Sequence, residues 1–558
     1  SFTQGITITA DEIEVDASSR IDVSAKGKEA TASEVNLFGG GTYAGAGGMH
    51  SSYTFTPKPY GNYWEPMDFG SGGRANSSTV FSRGGGALEL QAGLLKLDGV
   101  VRSVGEFKAT HGSGSGGSLL LRVGSLQLGE QARIDASGGG ATSGSTYGGG
   151  GGGRVALYYE ELLAGSLADQ VIAKGGLSQH AEPGAAGTVY LKNTQSGEEE
   201  LILNNTGVPT SAPEALLDVK AGYTGKITLI NVVAKVVGDL VTDRLSATNS
   251  RILGAYRSSA NELLVNGHTL ELQAGGSWSK VRVLNGGVIT TPEQSGGFTQ
   301  GIIITADEVE VDASSRIDVS AKGKEATASE VNLFGGGTYA GAGGIYSSYT
   351  FTPKPYGNYW EPKDFGSGGR ANSSTVFSRG GGALELQAGL LKLDGVIRSI
   401  GEFKATHGSG SGGSLLLRVG SLQLGEQARI DASGGGATNG STYGGGGGGR
   451  VALYYEELLA GSLADQVIAK GGLSQHAQPG AAGTVYLKNT QSGEEELILN
   501  NTGVPTTAPV ALLDVGGEDG KAFTGKITLI NVVAKVVGDL VTDRLTTINS
   551  QVQGIYRN

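Results

Sequence analysis

The sequence predicts an all-β chain, a parallel β-helix laid out in two near-identical tandem modules. Three observations carry that expectation. The first is a repeat: Phe2-Thr3-Gln4-Gly5-Ile6 returns as Phe298-Thr299-Gln300-Gly301-Ile302, and residues 2–219 differ from 298–515 at only eleven positions. The second is period-two alternation of apolar and polar residues, in runs joined by turns too short to hold a crossover helix. The third is glycine, which supplies 99 of 558 residues, against a usual share of roughly 7%.

The alternating runs are read in order. Ile6, Ile8 and Ala10 form one, and Asp11-Glu12 interrupts it. Ile13, Val15 and Ala17 follow, then Ser18-Ser19-Arg20. Ile21, Val23 and Ala25 make a third run, closed by Lys26-Gly27. Each reads as a short strand with one apolar face. The pattern returns in Leu88-Leu90-Ala92, Leu95-Leu97, Leu119-Leu121-Val123, Leu126-Leu128 and Ile134-Ala136, and later in Val189-Leu191, Ile227-Leu229 and Val281-Val283. In a coil, three such strands complete a turn of roughly 20–25 residues, and turns stack about 4.8 Å apart around a core of Ile, Val, Leu and Ala. An array of antiparallel sandwiches fits the same alternation and stays open as the alternative.

Residues 159–168 read as one or two helical turns, 201–213 as a turn-rich transition, and 216–285 as a second group of strands. The expected domains are a β-helix over 1–200, a strand-rich segment and connector over 201–297, a second β-helix over 298–496, and a truncated second segment over 497–558. A four-residue insertion near 516–521 moves the repeat offset from 296 to 300, and the match resumes at Lys226 and Lys526. Near-identity at this level fits recent duplication in a protein whose length is its useful property. The opening Ser-Phe-Thr-Gln and the unmatched connector read as about two units of a longer, processed array.

Composition narrows the function classes. Glycine does not fall at every third position with proline, which excludes collagen. The longest apolar stretch, 227–241, is broken by Asn231, Lys235 and Asp239, so no segment reads as a bilayer-spanning helix. A net charge of −11 argues against a nucleic-acid partner. With no Cys there are no disulfides, thiolate metal sites or cysteine nucleophiles.

The strings GGSLLLRVGSLQLGEQARIDASGGGA (116–141), GGGGGGRVALYY (148–159) and ITITADEIEVDASSRIDVSAKG (6–27) resemble the repeats of very large secreted bacterial surface proteins, of the filamentous-haemagglutinin-like and autotransporter-passenger kinds. The resemblance covers most of each module and includes no catalytic motif. It implies a right-handed β-helix, extracellular or at the cell surface, acting as an adhesive or structural stalk. The aromatic loop and the glycine tracts are heavier here than in a plain haemagglutinin coil.

Three features are candidate sites. The glycine tracts (39–48, 70–73, 84–86, 112–117, 138–140 and 148–153) lack the Gly-Lys-Ser/Thr ending of a phosphate loop. They read as positive-φ corners and points of close backbone approach, with packing between neighbouring chains as a second reading. The aromatic segment 43–69 opens with Tyr43 and holds Tyr53, Phe55, Tyr60, Tyr63, Trp64 and Phe69, and its copy holds Tyr339, Tyr349, Phe351, Tyr356, Tyr359, Trp360 and Phe365. It is too long and proline-rich for one turn, so it is expected to protrude as a loop. It would cap a sheet face, grip a copy of the protein, or stack on sugar rings of a surface polysaccharide. The acidic set Asp11, Glu12, Glu14, Asp16 and Asp22, repeated at Asp307, Glu308, Glu310, Asp312 and Asp318, reads as a solvated strand face with Ca²⁺ as the alternative.

Catalytic signals are weak. His50, His111, His180, His268, His407 and His476 are scattered, and His50 is Tyr346 in the second copy. Zinc and serine-hydrolase motifs are missing. Asp98, Asp135, Glu160 and Glu161 would have to serve a polysaccharide-degrading enzyme, without a spacing that singles out a pair. The leading expectation is a structural fibre, stalk or sheath that partners copies of itself and needs no cofactor. A carbohydrate-binding adhesin comes second and a polysaccharide-degrading enzyme third.

Overall fold

Alternation does build parallel strands, but they are longer than the sequence runs and share each pass of the chain with glycine. The computed structural model describes residues 5–31, 35, 37–50, 57–75, 81–108, 111–140, 147–209, 211–295, 300–327, 331, 333–346, 352–371, 377–404, 407–436, 443–514, 516, 523–537, 540–542, 544–554 and 556–557. The chain divides into two units, Ser1–Ser259 and Ala260–Asn558.

In the first unit, five long strands stack as one ladder: β1 (Ile6–Val15), β3 (Ala87–Leu97), β5 (Ser118–Leu128), β7 (Arg154–Ala164) and β9 (Thr188–Asn193). Four short strands make a second ladder: β2 (Arg20–Asp22), β4 (Val100–Arg102), β6 (Arg133–Asp135) and β8 (Val171–Ile172). All neighbours among these nine run parallel. Ile8, Leu90, Leu121, Leu157 and Leu191 form one row of the first ladder. Ile21, Val101, Ile134 and Val171 form one row of the second. The two rows meet in a single apolar cluster, in which burying each Leu or Ile contributes about 1.5–3 kcal/mol.

The Asp11-Glu12 interruption is a corner inside one strand, not a gap between two. Inward positions run Ile6, Ile8, Ala10 and then Ile13, Val15, a slip of one residue in the alternation. The same slip occurs in β3, between Ala92 and Leu95, and in β5, between Val123 and Leu126. Gly93 and Gly124 stand at the slip in β3 and β5. Stacked at one level, these slips bend the whole ladder, which is why the alternation of a single strand looks like two.

The step from one long strand to the next is also longer than the alternation suggests. Leu88, Leu119, Val155 and Val189 are consecutive in register, and their numbers alone show the excess. The extra length is glycine. After each short strand the chain enters an extended tract that joins neither ladder. The tracts are not corners: positive-φ glycines lie at isolated turns such as Gly165 and Gly238, and none of the described tract glycines is among them.

Instead, the tracts hydrogen-bond to one another with a period of three. Gly148 and Gly151 donate to Phe38 and Gly41, Gly149 and Gly152 to Glu182 and Ala185, and Gly150 and Gly153 to Gly139 and Ala136. Their carbonyls accept from Ser113 and Gly116, from Gly48 and Gly45, and from Gly176 and Thr188. N–H groups that turn by a third of a revolution per residue belong to a polyproline-II-type helix, which has three residues per turn and no internal hydrogen bonds. Tract 148–153 therefore sits among several like segments, and backbone bonds between tracts replace side-chain packing. Only glycine fits. A methyl on Gly150 would overlap the Gly114 carbonyl, and one on Gly116 the Ala136 carbonyl. The second unit repeats these bonds from Gly444 to Gly449.

Beyond β9 the direction reverses once. Glu199–Asn204 (β10) pairs antiparallel with β9, and Lys226–Ile230 and Leu245–Thr248 then stack parallel on it at shorter steps, without glycine tracts between them. The expected turn-rich transition over 201–213 thus begins as a buried strand, and the ladder is not parallel throughout. At the turns of this region Asn231 and Asn249 adopt positive φ, and Asn249 donates to the Asn231 side chain at 2.7 Å. The helical turn expected over 159–168 forms only at the end of that range: Arg154–Ala164 is strand, and helix among the described residues is confined to Leu167–Gln170 and its copy Leu463–Gln466.

The second unit rebuilds the same ladders from Ile302–Val311 onward, with the row Ile304, Leu386, Leu417, Leu453 and Leu487. Ahead of that strand it carries two more, Glu262–Asn266 and Gly276–Leu284, stacked parallel in the same ladder.

Candidate functional site

The described parts of the aromatic segment, 43–50 and 57–69, do not protrude, and Tyr43 is fully buried. The stretch 57–69 lies across the outward face of the first ladder, where the strands begin. Period-two alternation puts Ser118, Arg154 and Thr188 in one outward row and Leu120, Ala156 and Tyr190 in the next. A third row holds Arg122, Tyr158 and Lys192. The middle row is apolar, so this face excludes water if something covers it, and the rings of the segment do so. Tyr53, Phe55, Tyr349 and Phe351 lie outside the described residues.

Arg154 is the centre of the clasp. Its Nη2 donates to the carbonyls of Tyr60 and Gly61 at 2.7 and 3.0 Å, its Nη1 donates to Thr188 Oγ1 at 3.2 Å, and its guanidinium faces the Tyr43 ring. Burial pulls the Arg154 pKa below its ordinary value, though the tyrosine beside it and nearby carboxylates oppose that. Around this centre Tyr43 donates to Ser118 Oγ at 2.7 Å, and Ser118 in turn donates to the Asp68 carbonyl at 2.6 Å. Burial pushes the Tyr43 phenol up to about 12.

Farther along, Tyr63 is buried with Trp64, Tyr190 and Tyr223 edge-on around it, centroids 5.0, 5.3 and 6.2 Å away. Tyr158 donates to the Trp64 carbonyl at 2.7 Å, and Arg122 covers the Tyr158 ring while reaching Glu65 at 2.9 Å. Tyr60 donates to the Phe69 carbonyl at 2.6 Å.

The copy repeats the arrangement. Arg450 holds Tyr356 and Gly357, Tyr454 holds the Trp360 carbonyl, and Tyr359 packs on Trp360, Tyr486 and Phe523. Over the described residues the expected protrusion is therefore corrected, and the segment caps a sheet face, one of the readings the sequence left open. The middle row of the outward face is apolar, and exposed rings gain more by covering it than by standing in water. Of the expected residues, Tyr60, Tyr63 and Trp64 are brought together, and Phe69 lies at the segment's far end. Sequence reasoning misses Arg154 and Arg450. Their signal is a lone cation at the junction of six glycines and an apolar strand, where a charge has no reason to stand unless carbonyls converge on it.

The acidic strand face is paired with cations of neighbouring strands. Glu12 meets Lys96 at 2.6 Å and Asp22 meets Arg102 at 2.7 Å. In the copy, Glu308 meets Lys280 and Lys392, and Asp318 meets Arg398 at 2.7 Å. Partial burial raises the Asp22 carboxyl, but hydrogen bonds from Arg102 and Ser24 outweigh that and hold it at about 2. Among the described residues no three acidic or histidine side chains converge as a metal site would require. Of the carboxylates considered for hydrolysis, Asp135 lies on the short-strand ladder and binds the Ser137 amide, whereas Glu160 and Glu161 lie on β7 of the other ladder.

No protein-family model, curated protein or solved structure matches the chain.

Proposed function

We propose that the chain is a repeat of an extracellular structural or adhesive protein: a β-helical stalk, fibre or sheath that lengthens as repeats are added and that associates with copies of itself. One observation carries this reading. The second copy rebuilds the ladders of the first strand for strand, so duplication adds more of the same object. From β1 to β9 the order long strand, short strand, glycine tract recurs with each pass, the order expected of successive turns of a coil. Right-handed winding is the hand that parallel crossovers favour. The likeness of the repeat strings to secreted haemagglutinin-like coils points the same way.

The glycine bundle supports a mechanical role. Its strength lies in backbone hydrogen bonds between tracts, which side-chain variation at the surface leaves untouched. The aromatic rings support it too, because Tyr63 and Tyr359 spend their faces on their own unit. The ten strands of the second unit's main ladder, spaced about 4.8 Å apart, rise about 43 Å. Negative-stain microscopy of chains carrying one, two and four repeats tests the proposal. Particle length is expected to grow linearly, by about 40–50 Å per repeat. Rounded particles whose longest dimension does not follow repeat number would overturn it.

A further inference from the structure

The main ladder of each unit is incomplete at a place well inside the chain. Ile6–Val15, Ala87–Leu97, Ser118–Leu128 and Arg154–Ala164 all run on past the corner, but Thr188–Asn193 stops at it. Arg154–Ala164 therefore pairs with Ser118–Leu128 as far as Ala164, and with Thr188–Asn193 only as far as Tyr159. The chain itself makes the gap, because after Asn193 it turns back into Glu199–Asn204. At the turn the Thr194 amide donates to the Tyr159 carbonyl and Asn193 Nδ2 to the Glu160 carbonyl. Among the described residues no strand covers the rest of that edge, 160–164. The second unit repeats this at 456–460, where Tyr455 is the last residue paired with Thr484–Asn489.

The open edge borders a groove. In the second unit the groove has a volume of about 410 Å³, with Tyr455 and Leu463 on the strand's side and a floor of Leu487, Ile498 and Ile530. The edge carries apolar side chains of its own. Leu458 stacks on the fully buried Leu422 yet is 36% exposed, and Leu459 beside it is 50% exposed, as Leu163 is at 49% in the first unit. The edge and the near rim are otherwise acidic. Glu160 and Glu161 at the corner and Glu198 opposite Asn193 are exposed and in no ion pair among the described residues, and the same holds for Glu456, Glu457 and Glu494. Their neighbours Glu199 and Glu200 are taken by Lys192 and Lys226, at 2.7 and 2.9 Å. Against these glutamates the groove sets Arg544, exposed and two strands away from Glu495–Asn500.

We propose that this edge and groove receive an extended segment of a partner protein in which lysine or arginine alternates with aliphatic residues. The edge takes the segment by main-chain hydrogen bonding, an aliphatic side chain covers Leu162 or Leu458, and the glutamates take the cations. Charge selects the occupant. Charged side chains on an edge deter pairing with a strand of the same sign, so two copies of this edge repel one another through their glutamates, and a basic strand is drawn in. The site is built inside each unit, so it recurs with each repeat. It stands whether or not repeats lengthen into a fibre.

The test adds a fluorescein-labelled heptapeptide of alternating lysine and valine to the full chain and follows anisotropy. Saturation at one peptide per unit is expected, and a heptapeptide of alternating glutamate and valine is expected not to bind. Glu160→Lys and Glu161→Lys, combined with Glu456→Lys and Glu457→Lys at equally exposed positions, are expected to weaken the lysine peptide by roughly tenfold and to let the glutamate peptide bind. Main-chain pairing is read separately. Peptides N-methylated at every lysine or at every valine are expected to differ in affinity by roughly tenfold, because only alternate N–H groups of a strand face its neighbour. Absence of saturable binding overturns the site, as does binding indifferent to the charge reversal. Equal binding of the two methylated peptides also overturns it, since adsorption by charge alone gives that result. Self-association of the chain without peptide, abolished by the same four substitutions, would make the occupant another copy and overturn the basic partner.

Discussion

A glycine in this chain is a packing residue, and the clearest case is Gly150. Its amide donates to Gly139, its carbonyl accepts from Gly176, and its Cα faces Gly114 at a separation that no Cβ fits. Gly150→Ala is therefore expected to destabilise the first unit by roughly 1–3 kcal/mol through forced displacement of neighbouring backbone. The equivalent Gly446→Ala is expected to do the same in the second unit, where Gly446 meets Gly410 in the same way. Gly238→Ala serves as the comparison: its added methyl would meet nothing, but its φ of +77° strains any side chain. Chemical denaturation of the three variants checks the expectation, with the bundle variants showing lost amplitude or lower midpoints. In the sequence alone, glycine density is visible and its role is not. Nothing in a run of glycines distinguishes a φ > 0 corner from an extended segment, because the deciding bonds are made to tracts distant in the chain, as from Gly151 to Gly41.

Among elements, legibility follows the reach of the signal. The strands with inward Leu88, Leu90, Leu95 and Leu97 are plain from alternation, since the pattern is local and the core enforces it. The corner at Asp11-Glu12 shows as an interruption that reads as a strand end, because a phase slip and a gap look alike in one strand. Only the stacking of slips across β1, β3 and β5 separates them. The aromatic segment is visible as a cluster, yet where it goes depends on Arg154, which lies far downstream of the carbonyls it binds. Arg154→Met is the variant that isolates this clasp. It removes the donors to Tyr60 and Gly61 and leaves those carbonyls without their partner, an expected loss of about 2–4 kcal/mol. Limited proteolysis should then cut within 57–69 while the 353–365 copy, held by Arg450, stays intact. Equal resistance of the two segments would mean that ring packing alone holds the clasp.

Across the molecule, the near-identity of the copies turns the protein into its own control. Ile6–Val15 and Ile302–Val311 differ at two positions, Thr7/Ile303 and Ile13/Val309, so a difference in their behaviour reports surroundings and not sequence. Ile302–Val311 is an interior strand, with both edges bonded and with Lys280 and Arg282 of the covering strand paired to Glu308 and Glu310. Among the described residues Ile6–Val15 is bonded on one edge only, to Ala87–Leu97, and strands bonded on one edge fray more readily. Hydrogen exchange followed by mass spectrometry is expected to show peptides from 6–15 exchanging at least tenfold faster than those from 302–311. The second ladder extends the contrast: Arg316–Asp318 is bonded on both sides, while among the described residues Arg20–Asp22 is bonded on one. Faster exchange is thus expected at 20–22 than at 316–318 as well. Matched rates in both pairs would mean that the first edge is already covered in solution, and covering by another molecule would then show as protection that fades on dilution.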